Sequence, residues 1–152
     1  MNAELKNILL AEDDLRDVEL TLAALDEHKL ANKVTVARDG EEALDYLYCR
    51  GKFKSRTSGN PIFVLLDLKM PKVTGLEVLR QVKADLQLKA IPVIVLTSSR
   101  EQPDLNECYN LGVNAYVVKP VDFAEFMAAV KELGLFWAAI NEPPPNSMKE
   151  RS

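Results

Sequence analysis

The run Ile62-Phe63-Val64-Leu65-Leu66, closed by Asp67, decides the fold. It is uniformly apolar and does not alternate, so it reads as a strand covered on both faces. Runs of the same kind stand at Ile8-Leu9-Leu10, Val34-Thr35-Val36, Val93-Ile94-Val95-Leu96 and Ala115-Tyr116-Val117-Val118. Between them the apolar residues change to three-and-four spacing, at Leu15, Val18, Leu22 and Leu25, at Leu76, Leu79 and Val82, and at Phe123, Phe126, Met127 and Val130. That spacing predicts helices laid on a sheet. A shorter second helix is predicted over Glu41 to Cys49, on Ala43, Leu44, Leu47 and Tyr48. A fourth is predicted from about Pro103 to Leu111, with Gly112 as its stop.

Five buried strands alternating with five helices predict the α/β class, with a doubly wound parallel sheet. The strand order expected for five such units is 2-1-3-4-5, the flavodoxin-like arrangement; it follows from the class and not from any residue. The chain has 152 residues, 47% apolar and 28% charged, which suits one globular domain with a real core. The expected division is a domain over residues 1–141 with an extended last helix, then a flexible tail over 142–152 that includes Pro143-Pro144-Pro145. No run approaches the ~20 apolar residues of a membrane span, and the N-terminus lacks the pattern of a secretory signal, so a cytoplasmic protein is expected. Cys49 and Cys108 have no metal-like or redox-like spacing and read as thiols. A net charge of −4 argues against general affinity for nucleic acid and favours a protein partner. The segment Arg50 to Pro61 is long for a helix-to-strand connection; it reads either as a solvated insertion or as a contact surface.

Polar residues stand directly after the apolar runs: Glu12, Asp13 and Asp14 after the first, Asp67 after the third, Thr97 after the fourth and Lys119 after the fifth. All fall on the carboxyl edge, where an open α/β sheet binds ligands, and the crevice lies between the first and third strands. Glu12, Asp13 and Asp67 would share it, and three carboxylates so placed call for protonation or a cation. Oxygen donors without His or Cys favour a hard divalent ion, and Mg²⁺ suits a site that must also hold phosphate. A carboxylate such as Asp67 can then attack phosphorus, with the Lys119 ammonium and the Thr97 hydroxyl meeting the charge on the transferring group. Asp14 reads as the cap of the first helix.

On Leu9-Leu10-Ala11-Glu12-Asp13-Asp14, Leu65-Leu66-Asp67-Leu68-Lys69-Met70-Pro71 with Gly75, Leu96-Thr97-Ser98 and Val118-Lys119-Pro120, the chain resembles the CheY-like receiver domains of two-component response regulators, over about Lys6 to Leu133. The resemblance implies that Asp67 is the phosphoacceptor, Asp13 a direct Mg²⁺ ligand, Glu12 a partner through water and Lys69 a ligand through its backbone carbonyl. It makes Thr97 and Tyr116 the switch pair, Lys119 the salt-bridging lysine, and a sensor histidine kinase the phosphodonor. Such a protein is not an enzyme toward other substrates; it catalyses only its own phosphoryl transfer and autodephosphorylation. Two departures stand out. Glu12 replaces the Asp often found first in the acidic pair, and Lys69 and Ser99 occupy positions that tune hydrolysis of the acyl phosphate.

A narrower resemblance is to receivers paired with bacterial, chiefly cyanobacterial, phytochrome histidine kinases, through the lengthened loop at Arg50 to Pro61 and the aromatic pair Phe136-Trp137. Phe136, Trp137 and Ile140 continue an apolar face past Gly134, and a symmetric dimer through the last helix is expected to cover it. Because few residues follow that helix, output is expected to be by contact and not through an attached domain. A phosphatase of the haloacid-dehalogenase kind would need a second Asp where Lys69 stands. A flavin domain would not place Glu12-Asp13-Asp14 against a phosphate. A binding module that keeps the fold without phosphorylation remains as the alternative.

Overall fold

A computed structural model describes residues 7–27, 33–56, 59–97 and 102–119 together with Ala124 and Ala128. Five strands, β1 (Asn7–Ala11), β2 (Lys33–Ala37), β3 (Phe63–Asp67), β4 (Val93–Thr97) and β5 (Ala115–Val118), form one parallel sheet in the order β2-β1-β3-β4-β5. They alternate with helices α1 (Leu15–Glu27), α2 (Gly40–Tyr48), α3 (Gly75–Ala84) and α4 (Gln102–Asn110). The expected α/β class and strand order are therefore found. The fifth helix, on Phe123, Phe126, Met127 and Val130, lies outside the described residues, apart from Ala124 and Ala128, which are helical and exposed. Ser99, Phe136, Trp137 and Ile140 also lie outside them.

Side chains alternate across a strand, so each central strand feeds two cores. Leu9, Ala11, Val64, Leu66, Val93 and Val95 point to one face, where Ala43, Leu44 and Leu47 of α2, Val78, Leu79 and Val82 of α3 and Cys108 of α4 cover them. Ile8, Leu10, Phe63, Leu65, Ile94 and Leu96 point to the other, where Val18 and Leu25 of α1 meet them. Burial on both faces is why these strands are continuous apolar runs. No helix among the described residues is long and apolar enough to cross a membrane. Cys49 is exposed and Cys108 buried, both as thiols and not as a disulfide.

Local chemistry sets the helix ends. Asp14 Oδ1 accepts from the Asp17 amide at 3.0 Å, Asp39 Oδ1 from the Glu42 amide at 2.8 Å, and Thr74 Oγ1 from the Glu77 amide at 3.2 Å. Asp14 is thus the cap predicted for the first helix. The second helix stops one residue short of prediction, because Cys49 adopts the left-handed conformation (φ 57°, ψ 52°) and turns its amide back to the carbonyls of Asp45 and Tyr46.

The first part of the long connection after α2, Arg50 to Arg56, packs back against that helix. It begins with a 3-10 turn at Gly51–Phe53, and Phe53 packs edge-on against Tyr46 at 5.1 Å between ring centroids. Arg56 donates from Nε to the Tyr46 carbonyl at 2.9 Å, with its guanidinium 4.1 Å from the Tyr46 ring centroid.

Candidate functional site

Sheet register brings the chemistry-bearing residues to one edge. Ala11 pairs with Leu66, Asp67 with Leu96, and Thr97 with Val118. Glu12 and Lys119 follow directly on Ala11 and Val118. A cavity of about 610 Å³ opens there, lined by Glu12, Asp13, Asp14, Asp17, Asp67, Lys69 and Lys119. Carboxylate oxygens of Glu12, Asp13 and Asp67 all lie within 4.8 Å of one another.

Glu12 is fully buried. Its Oε1 accepts from Lys119 Nζ at 3.0 Å and its Oε2 from the Asp14 amide at 3.2 Å. Burial pushes the Glu12 carboxyl up to about 7; the Lys119 hydrogen bond works against that shift, and the Asp67 charge adds to it. Asp67 is also raised, first by burial and further by Asp13, against the pull of the Lys119 ammonium and a hydrogen bond from the Lys69 amide. Both carboxyls therefore hold their protons more tightly than free ones do, through burial first and a neighbouring carboxylate second. A cation entering the cluster would displace those protons. The donors are all oxygen and two of them are buried, so the set fits a hard divalent ion.

Lys119 bridges three carboxylates. Its Nζ stands 2.8 Å from Asp17 Oδ2, 3.0 Å from Glu12 Oε1 and 3.5 Å from Asp67 Oδ1. Burial opposes its charge, but the bonds to Asp17 and Glu12 and the Asp67 charge outweigh this and hold the ammonium above its ordinary value.

The structure thus brings together Glu12, Asp13, Asp67, Lys69 and Lys119. Thr97 closes β4 beside the fifth strand. Tyr116 sits further back on β5, half-buried against the α2–α4 core, and meets the ring of Tyr109 edge-on at 5.9 Å. Asp17 and Tyr109 went unnoticed in the sequence. Asp17 stands in the first turn of α1, three residues after the Asp14 cap, which was the available signal for a further carboxylate near this edge.

The response regulator receiver domain model matches residues 8–131. Response regulator Rcp1 of Synechocystis sp. (strain ATCC 27184 / PCC 6803 / Kazusa) is 36% identical over 132 residues, 87% of this chain and 88% of that protein. It has been solved in a Mn²⁺-bound form that superposes with a TM-score of 0.74 at 34% identity, over 91% of this chain and 99% of that one. The bacteriophytochrome response regulator RtBRR superposes with a TM-score of 0.83 at 62% identity, over 96% of this chain and 88% of that one. The phosphorylated cyanobacterial phytochrome response regulator RcpA gives a TM-score of 0.75 at 38% identity, over 90% and 96%.

Proposed function

This chain belongs to the response regulator receiver domain family, and on that premise we propose that Asp67 accepts a phosphoryl group from a sensor histidine kinase of the phytochrome class. The observation that carries the proposal is the placement of Asp67, buried at the base of an acidic cavity with the Lys119 ammonium 3.5 Å away. One carboxylate oxygen of Asp67 bonds to phosphorus as the bond from phosphorus to the donor nitrogen breaks, the electron pair leaving with the imidazole. Lys119 meets the negative charge carried by the phosphoryl oxygens. Thr97 and Tyr116 are assigned the switch on the family resemblance.

Glu12, Asp13, Asp67 and the backbone carbonyl of Lys69 are the proposed Mg²⁺ ligands, directly or through water. When bound, the ion supplies charge neutralisation at the phosphoryl oxygens. The phytochrome pairing is supported by likeness to RtBRR and RcpA over nearly the whole chain. A cytoplasmic location is part of the same proposal. Dimerisation through Phe136, Trp137 and Ile140 is proposed on sequence alone, with sedimentation of Trp137→Ala as its test. Turnover of any other substrate forms no part of the proposal.

The decisive experiment incubates the protein with Mg²⁺ and acetyl phosphate and follows intact mass beside Asp67→Asn. One phosphoryl adduct, dependent on Mg²⁺ and missing from the variant, is expected. No adduct from acetyl phosphate or from a phosphorylated phytochrome kinase would leave a binding module that keeps only the fold. Transfer from such a kinase that responds to light tests the pairing itself.

A further inference from the structure

Lys119 is closer to Asp17 than to the residue it is expected to serve. Its ammonium has three protons to donate and three carboxylates around it, and the contact with Asp17 Oδ2 is 2.8 Å against 3.5 Å with Asp67 Oδ1. Asp17 stands in the first turn of α1 and remains partly open to solvent, while Glu12 is sealed in. Its backbone is held by the Asp14 cap, so its carboxylate is presented to the cavity from a fixed turn.

We propose that Asp17 is a positioning residue that holds the Lys119 ammonium toward α1 and thereby restrains phosphorylation of Asp67. The inference rests on the receiver reading above. As the phosphoryl group arrives on Asp67, its oxygens compete for the same ammonium protons. Charge-assisted bonds of this kind are short and strong, so loosening the one to Asp17 adds to the barrier. Without Asp17, Lys119 is shared among the described carboxylates between Glu12 and Asp67, and its charge is free for the transferring group.

The test compares Asp17→Asn with Asp14→Asn in the full-length protein. Both variants take one negative charge from the same cavity. Asp14 feels the Lys119 charge but makes no salt bridge to it, the Lys119 salt bridges being to Asp17, Glu12 and Asp67, and Asn still caps a helix. With Mg²⁺ and acetyl phosphate, Asp17→Asn is expected to form the adduct at least about three-fold faster than wild type, and Asp14→Asn to change by clearly less. A second readout needs neither metal nor donor: the Lys119 ammonium signal in ¹H–¹⁵N spectra should shift and exchange faster in Asp17→Asn only. Equal rates for the two variants, a slower rate for Asp17→Asn, or an unmoved ammonium signal would each overturn the role. Loss of the receiver reading shows differently, as no adduct in wild type or an adduct that survives Asp67→Asn.

Discussion

A Cβ placed on Gly75 would lie 2.2 Å from the main-chain carbonyl oxygen of Asp67. The first residue of α3 therefore touches the backbone of the proposed phosphoacceptor, and the Gly75 amide donates to the Leu68 carbonyl at 2.9 Å. Backbone cannot yield as a flexible side chain can. Gly75→Ala should destabilise the fold by about 2 kcal/mol, within the usual range for overpacking. It should also slow adduct formation, because the shift falls on Asp67 itself. Urea denaturation and the mass assay check both; an unchanged midpoint would mean that α3 can move away freely.

Glu12 gives a pH dependence with a definite sign. Its carboxyl is raised from 4.5 to about 7 in the fold, so between these values the native state keeps a proton that the unfolded chain has lost. The stability it contributes is present below about pH 4.5 and fades as pH rises to about 7. The metal-free protein should therefore have a lower urea midpoint at pH 8 than at pH 5, and Glu12→Gln should flatten that fall by roughly 2 kcal/mol. A wild-type midpoint that rises across the window would contradict the buried, proton-retaining Glu12.

The sheet and most of the site were legible because both depend on local pattern. Val64 and Leu65 face opposite cores, which leaves an uninterrupted apolar run, and the residue ending each such run lands on one edge. Asp17 was not legible as a partner of Lys119. Which side of α1 faces the fifth strand depends on how the helix crosses the sheet, and residues about a hundred positions apart decide that. The stop at Cys49 was missed because a cysteine side chain carries no signal for the left-handed backbone it adopts there. The docking of Arg56 on Tyr46 is likewise a tertiary contact with no periodic signal.

Tyr109 and Tyr116 form an edge-to-face pair at 75°, with Tyr109 largely exposed. Such pairs are worth about 0.5–1.5 kcal/mol beyond burial, and exposure puts this one at the low end. Tyr109→Ala should cost the unphosphorylated protein about 0.5 kcal/mol, with Tyr109→Phe close to neutral. If Tyr116 turns during activation, loss of its partner should also raise the rate of adduct formation about two-fold. A rate unaffected by Tyr109→Ala would separate the ring pair from the switch.

Metal binding should release protons. Glu12 is half protonated near pH 7 and Asp67 is raised as well, whereas a metal ligand must be ionised. Mg²⁺ affinity is therefore expected to rise with pH between about 6 and 8, and each ion bound at pH 7 should free about half a proton or more. Calorimetry of the same titration in two buffers of different ionisation enthalpy reads that number directly. Glu12→Gln removes the group that titrates in this range, so its proton release should fall toward zero while Asp13 and Asp67 still bind the ion more weakly. Proton release that is unchanged in Glu12→Gln would move the titrating group to Asp67.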